Sequence, residues 1–498
     1  MKNYQHIIVG GGVSGMTAAL LLAKQGKKTA LVEAFPVLAP TIRGFNRRGV
    51  HFETGVHLLG GLGERQPLDI YFRHLGISED LKKIPFEPDG YDCFRYEQTG
   101  REIRMPIGYK RLRSTLCSAF PKEATAVKTY LDKIKSIFDS SPYLNFEKSF
   151  SLESIVHTET GTLQEFLDSI TDNQQLKDLL CYHTLLYGTT PEEAMLATHA
   201  LVAGSYFTSS HTVEGGGLAI VKSFQNRLGK AGVDIYTGHK VSLINSGSDK
   251  SFKSVILSDK TELAAKSCIW TAHPAGLIDC TPDDAFRPVF RRRIKELQES
   301  PSAIALFGTA GEPIKELQRK NIYLWPGGRY SEILSGQTDL ADNAIFISAN
   351  QSLSGNGKQT ISAIAPYSFA KFKKWADSDQ HNRPAQYLEF KSRIIHRFEQ
   401  EVFKRCPELR GRVEFIDSAT PLTIKDYCST PYGSMYGAAH TVSQYNPLPM
   451  TKIKGLLLAG QSILAPGILG AVVSAYLACG ISCGHDKIHE ELRCIYNG

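Results

Sequence analysis

Short apolar runs closed by glycine alternate with stretches of helical period, and three blocks of this α/β rhythm are separated by two longer insertions. The first block opens on His6-Ile-Ile-Val9, a continuous apolar run of the kind that forms a strand buried on both faces. Residues 16–24, rich in Ala and Leu, continue as a helix that stops at Gly26, and Thr29-Ala-Leu-Val32 is a second strand. Residues 49–54 predict a short strand, and Gly55-Val56-His57 a close backbone turn after it. In the second block Gly215-Gly-Gly217 precedes a helix over 218–230, followed by strands over 232–238, 240–244, 254–257 and 266–272. In the third, Gly455-Leu-Leu-Leu-Ala-Gly460 is a strand, 461–467 a loop and 470–483 a helix.

The insertions lack this rhythm. Residues 64–210 read as a mostly helical cap: Ala126, Tyr130, Ile134 and Ile137 recur at near-helical spacing, 163–186 forms another helical stretch, and Thr189-Thr-Pro-Glu-Glu starts a further helix. Residues 276–440 mix strands near 303–306 and 344–347 with helices over 290–297 and 389–405. The predicted organisation is an α/β domain in three pieces, residues 1–63, 211–275 and 441–498, with 64–210 and 276–440 inserted between them.

Candidate chemistry begins in the first turn. Gly10-x-Gly12-x-x-Gly15 follows a strand and opens a helix, and Glu33 ends the next strand. Gly10 permits the tight turn, Gly12 lets backbone approach a pyrophosphate, and Gly15 brings the helix close to the strand. The helix N-terminus, with Val13 and Ser14, faces the phosphates, and a carboxylate at Glu33 accepts hydrogen bonds from an adenosine ribose. These parts in this order predict a bound dinucleotide. A glycine turn in an ordinary α/β domain would leave Glu33 and the third glycine without a reason.

Charge and composition narrow the rest. A net charge of +7 over 498 residues, without basic and aromatic interleaving, points away from nucleic acid. The local run Phe290-Arg-Arg-Arg-Ile-Lys295 is either a solvated helix face or a peripheral contact with an anionic membrane. Ten cysteines without a CxxC pair or zinc spacing, and a first strand close to the N-terminus, predict a reducing, cytoplasmic setting without a targeting segment. No Asp, Glu, Lys or Arg lies between Lys454 and Asp486, but the glycines and Pro466 there divide the stretch into strand, loop and helix of a buried core.

Three separated blocks carry a resemblance: Gly10-x-Gly12-x-x-Gly15 with Glu33, Gly49-Val-His-Phe-Glu-Thr-Gly-Val-His57, and Leu458-Ala-Gly-Gln-Ser-Ile-Leu-Ala-Pro-Gly-Ile-Leu-Gly-Ala-Val-Val-Ser-Ala475. Together they resemble the flavin-dependent phytoene desaturase, carotenoid isomerase and retinol saturase family. Ser429-Thr-Pro-Tyr-Gly-Ser-Met-Tyr-Gly437 is similar to that family's substrate-side segment, and Gly215-Gly-Gly-Leu-Ala219 to its middle glycine turn.

The resemblance implies FAD in a discontinuous Rossmann-type domain of the glutathione-reductase and amine-oxidase kind, with an inserted α+β substrate domain and a helical cap. It implies a hydrophobic polyene or isoprenoid substrate that is desaturated, saturated or isomerised. By position, Gly10, Gly12, Val13, Ser14, Gly15, Glu33 and Ala34 hold the ADP half, Arg43 approaches the pyrophosphate, and Val241 contacts adenine. Gly55, Val56, Gly460, Gln461, Gly467 and Ile468 meet the flavin end. The chain departs from the family at Gln461, where many relatives have an acid, and at Ala39-Pro-Thr-Ile, where they have a glycine-rich turn.

Electron chemistry at a flavin needs no triad and no metal, and an acid or base matters only where a proton moves. The candidates for that are His57, Tyr432, Tyr436 and His440, each of which also reads as a packing residue. Two rivals stay open. An amine-oxidase-like flavoenzyme would clamp the flavin face with an aromatic pair and release hydrogen peroxide with amines. A non-catalytic prenyl-lipid carrier of the same fold would bind no flavin.

Overall fold

A computed structural model describes residues 2–148, 161–351 and 357–498. Its first sheet is built from all three α/β blocks. Thr29–Glu33, Lys2–Val9, Glu262–Trp270 and Leu456–Leu458 lie side by side in parallel, with Asp234–Thr237 parallel at one edge. Val9 aligns with Val32 and with Trp270, and Trp270 with Leu458, so these strands end along one line. Phe252–Leu257 and Val241–Ser246 extend the sheet antiparallel. Helices Val13–Lys24, Gly216–Lys230 and Gly467–Cys483 share one core against it.

Helix Gly467–Cys483 starts three residues earlier than the pattern predicts, at the glycine itself, and is buried from Ala471 to Gly480. Its lack of charge is therefore that of a core helix. No helix among the described residues is long and apolar enough to cross a membrane.

A second seven-stranded sheet runs in the order Val413–Ala419, Ala303–Ala310, Gln359–Pro366, Ile345–Ala349, Asn321–Trp325, Asp92–Tyr96 and Arg101–Met105. Its last two strands come from the 64–210 block, which is thus less helical than its sequence suggests. They form a hairpin closed at Gly100 with φ +67°. The helical stretch over 163–186 is broken: Leu163–Ile170 carries a Thr162/Glu165 capping box, and Asn173 Oδ1 accepts Leu176 N–H at 3.1 Å to start Gln174–Cys181. Thr189-Thr-Pro-Glu-Glu folds as a turn, Ala194 N–H donating to Thr190 O at 2.8 Å, and the helix begins only at Leu196. The predicted strand over 49–54 is one arm of a hairpin, Phe45–Arg47 with Val50–Phe52, whose two turn residues Arg48 and Gly49 both have positive φ.

Candidate active site

The first glycine turn sits where the parallel strands end. Gly10 adopts φ +106° and donates its N–H to Val32 O at 2.8 Å, while Thr271 Oγ1 donates to Gly10 O at 2.9 Å. A Cβ on Gly15 would overlap the Gly10 carbonyl oxygen, so only glycine lets helix Val13–Lys24 cross the strand this closely. Gly12 is different. It is extended at φ −71° and ψ −174°, and a Cβ there meets no protein atom within 4 Å. The helix N-terminus behind it has no side-chain cap, and Ser14 Oγ is buried without a partner. Uncapped N–H groups, an orphaned hydroxyl and open space at Gly12 fit a pyrophosphate.

Glu33 accepts Gly11 N–H at 2.5 Å and Phe35 N–H at 2.8 Å. Burial pushes its pKa up, against the pull of the backbone N–H groups of Phe35, Gly11 and Ala34. Ala34, Arg43 and Val241 share the cavity wall with it, and the Arg43 guanidinium has no partner among the described residues. A free cation beside an uncapped helix end suits a diphosphate.

A second helix N-terminus opens onto the same cavity. Gly460 (φ +118°) donates its N–H to Ser474 Oγ at 2.9 Å, and Gly467 (φ +82°) has open space where a Cβ would stand. Gly460, Gln461, Gly467 and Ile468 all line the cavity, as does Gly55. Val56 and Gly15 do not: Val56 is packed in the core and Gly15 lies under the turn. His440 Nε2–H donates to Gln461 O at 2.6 Å while Nδ1 accepts from Asn446 Nδ2 at 3.1 Å, which fixes the neutral tautomer. His440 therefore holds the loop carrying Gln461. Burial lowers its pKa, opposed by that bond.

Several contributors were not legible as site residues. Glu53, almost fully buried, accepts Gly217 N–H at 2.8 Å and stands 3.4 Å from His51 Nε2. A Cβ on Gly216 would strike its carboxylate, and one on Gly217 the Ile42 carbonyl oxygen. The Phe45–Phe52 hairpin, next to Arg43, is thereby clamped to the N-terminus of helix Gly216–Lys230. Phe52-Glu53 and Gly215-Gly-Gly217 are each visible as motifs, but nothing local says that they meet.

The cavity itself measures about 2160 Å³ and reaches from the glycine turn to the second sheet. That is more than twice the roughly 1,000 Å³ upper range of a drug-sized site, leaving room for a dinucleotide and a second ligand. One transverse row floors it: Ala419, Ala305, Ile364, Phe346 and Tyr323, each opposite the next on adjacent strands. At about 4.8 Å per strand the row spans roughly 19 Å. Met195, Thr198, Leu201 and Val202 face the cavity from the cap.

His57 lies in this wall, its ring 5.7 Å from that of Phe346, with Nε2 buried and unpartnered. Burial lowers its pKa to about 4, so it is neutral at pH 7. Tyr436 is also in the wall and donates its hydroxyl to Leu185 O at 3.3 Å; burial pushes its pKa up to about 12. Tyr432 is elsewhere. It is 61% exposed, with φ +56° and its ring against Phe369, outside the cavity wall. The structure thus places His57 and Tyr436, two neutral hydrogen-bonding groups, in the wall of one cavity, and leaves Tyr432 on the surface. In helix Pro288–Lys295, Arg291 is tied to Pro282 O and Asp283, and Phe290 packs on Phe286.

Comparison with known proteins agrees with this geometry. The all-trans-retinol 13,14-reductase of Danio rerio is 25% identical over 97% of this chain and 86% of its own length. The chloroplastic prolycopene isomerase of Arabidopsis thaliana is 22% identical over 97% of this chain and 82% of its own. Among solved structures, an oxidoreductase from Methanosarcina mazei superposes with a TM-score of 0.65 at 16% identity, covering 95% of this chain and 99% of that one. The sequence profile of the flavin containing amine oxidoreductases matches residues 13–480. With that match starting at the head of helix Val13–Lys24 and running past the Gly460–Gly467 loop, the chain belongs to the flavin containing amine oxidoreductase family and is an FAD-dependent oxidoreductase.

Proposed function

We propose that the protein adds or removes hydrogen across, or isomerises, carbon–carbon double bonds of a polyene or isoprenoid lipid. The observation that carries this reading is the five-strand apolar row from Ala419 to Tyr323, a floor suited to a long, flat hydrocarbon. The retinol reductase and prolycopene isomerase relatives act on such molecules by name, and this supports the same class here. FAD, when bound, supplies the hydride chemistry. The chain's part is to hold FAD at the two helix N-termini, orient the lipid along the row and exclude water. Tyr436, kept protonated by burial, is the group we assign to hold or deliver a proton.

We also propose a membrane surface as the source of substrate. Leu388 and Tyr427, 55% and 57% exposed, belong to the cavity wall, which favours an apolar mouth resting on lipid; the half-buried Lys391 and Lys425 nearby donate instead to Ser418 O and Ala376 O.

The test is anaerobic incubation of FAD-loaded protein, in oxidised and reduced form, with a panel of polyenes, products being separated by chromatography. A changed polyene in either redox direction supports the reading. Hydrogen peroxide released with amines, together with unchanged polyenes, overturns it.

A further inference from the structure

A relay of side chains runs from the second insertion to the loop after Gly460, and the role of each donor and acceptor in it is fixed. It begins at a backbone donor: Gln298 N–H reaches Gln444 Oε1 at 2.7 Å. The Gln444 amide nitrogen then donates to Ala439 O at 2.8 Å and to Asn446 Oδ1 at 3.0 Å. Asn446 Nδ2 is left to donate to His440 Nδ1 at 3.1 Å, and the ring proton on Nε2 goes to Gln461 O at 2.6 Å. With a backbone N–H at one end and a backbone C=O at the other, no amide can flip. His440 can take neither a proton on Nδ1 nor a positive charge without breaking the relay. Hydrogen bonds joined head to tail in this way polarise one another.

The relay ends at the cofactor. Glu33 stands one strand to one side of the Gly10 turn, and Gly460 two strands to the other, roughly 10 Å away. With the ribose at Glu33 and the diphosphate at Gly12, the flavin half of FAD extends toward Gly460. Gln461 and Ser462 belong to the cavity wall, whereas His440 is buried behind it. The Gln461 carbonyl is therefore drawn out of the cavity. Ser462 is pinned as well, its Oγ accepting Ala438 N–H at 3.1 Å. A trans peptide sends its C=O and the following N–H in opposite directions.

We infer that His440 is a positioning residue for FAD: through this relay it keeps the Gln461 carbonyl out of the cavity and turns the Ser462 N–H toward the flavin half, which favours the reduced, negatively charged flavin over the oxidised one. Without that bond the peptide is free to rotate and present an acceptor where a donor stood, and an acceptor repels the added charge. The inference concerns the cofactor and holds whichever lipid is converted.

The test is the midpoint potential of FAD in the protein, taken by reductive titration against a dye of known potential, together with the Kd for oxidised FAD. His440→Leu is expected to weaken reduced FAD about tenfold more than oxidised FAD. For a two-electron couple that lowers the potential by about 30 mV. His440→Gln places an amide donor and an amide acceptor on the same two partners and should keep the unmodified potential. Asn446→Leu, which frees the His440 tautomer, should lose part of what His440→Leu loses. Tyr445→Ala lies between two relay residues, but its side chain is 82% exposed, and it should change nothing. A merely structural tether would lower the melting temperature and weaken both forms of FAD equally. An unchanged potential in His440→Leu overturns the inference, as does a His440→Gln that falls as far as His440→Leu. Should the variants not fold, nitrogen-15 histidine NMR of the unmodified FAD-loaded protein decides. A neutral His440 ring with its proton on Nε2 is expected at about pH 7, and a doubly protonated ring or one protonated on Nδ1 overturns the inference.

Discussion

Replacing Gly12 and Gly15 one at a time separates the two tasks of the first glycine turn. Gly12 has ordinary extended dihedrals, and a Cβ added there meets nothing within 4 Å. Gly12→Ala should therefore fold without strain, gaining about 0.4–1 kcal/mol from the reduced freedom of its unfolded chain. The methyl instead occupies space in front of the uncapped N-terminus of helix Val13–Lys24. A phosphate pushed outward by a methyl loses hydrogen-bond distance to those N–H donors, each charge-assisted bond contributing about 1.5–3 kcal/mol. Losing one raises the Kd for FAD by about ten- to a hundredfold, and losing two by more. Gly15→Ala acts the other way. Its Cβ overlaps the Gly10 carbonyl oxygen and comes within 2.9 Å of Thr271 Oγ1, neither of which is a flexible side-chain end. Overpacking of this kind costs typically 1–3 kcal/mol, so the FAD-free protein melts lower. Thermal melts without FAD, paired with FAD titrations followed by flavin fluorescence, read both effects. Gly12→Ala binding FAD as tightly as the unmodified protein would show that the phosphates do not approach here. Gly15→Ala melting at the unmodified temperature would show that the helix can slide off its strand.

Three further outcomes follow from the cavity and its surroundings. Tyr436→Phe should retain FAD but lower kcat about tenfold or more, whereas Tyr432→Phe on the surface should leave kcat unchanged; steady-state rates on a converted polyene check this. Ala305→Leu should narrow the floor between Ile364 and Ala419, raising KM about tenfold at constant FAD content, and a KM within twofold would refute the placement of substrate on the row. Asp92 is buried between Tyr182 and Asn321, and burial raises its pKa to about 7. Stability from its protonated form is thus fully present below about pH 4 and is lost as pH rises to about 7. Asp92→Asn, which keeps a donor and an acceptor, should melt higher than the unmodified protein at about pH 8 and gain little at about pH 4. Equal gains at both would refute the assignment.

What could be read from sequence was the chemistry written into the backbone. Gly10, Gly15, Gly460 and Gly467 are informative one by one, because a positive φ or a close helix crossing admits almost no other residue, whereas Gly12 matters only for the open space it leaves in front of the helix. The second sheet was partly hidden. Asp92–Tyr96 and Arg101–Met105 carry arginines and a buried aspartate, so their apolar alternation is weak in a block dominated by helices. The break inside 163–186 depends on Asn173 capping a new helix while the apolar period runs on unbroken. Glu53 with Gly217, and the row from Ala419 to Tyr323, depend on registers between distant segments, which no local period encodes.

The direction of that row bears on the substrate. Along one strand, side chains on the same face recur about every 6.8 Å; across a sheet they recur about every 4.8 Å. A floor laid across the strands is therefore smoother than one laid along them, and its backbone polar groups are already paired in the ladder. A cage of acids or aromatics would suit a small cation, but an extended conjugated chain needs continuous van der Waals contact along its length. The polar groups that do face the chamber agree with this, for His57 is held neutral by burial and Tyr436 stays protonated. Neither adds a charge that an apolar ligand would have to strip of solvent. The small side chains of Ala305 and Ala419 at one end and the bulk of Phe346 and Tyr323 at the other give the floor a direction, open first and then closed. A lipid lying along the row would set one end over the small side chains of Ala419 and Ala305 and the other against the rings of Phe346 and Tyr323.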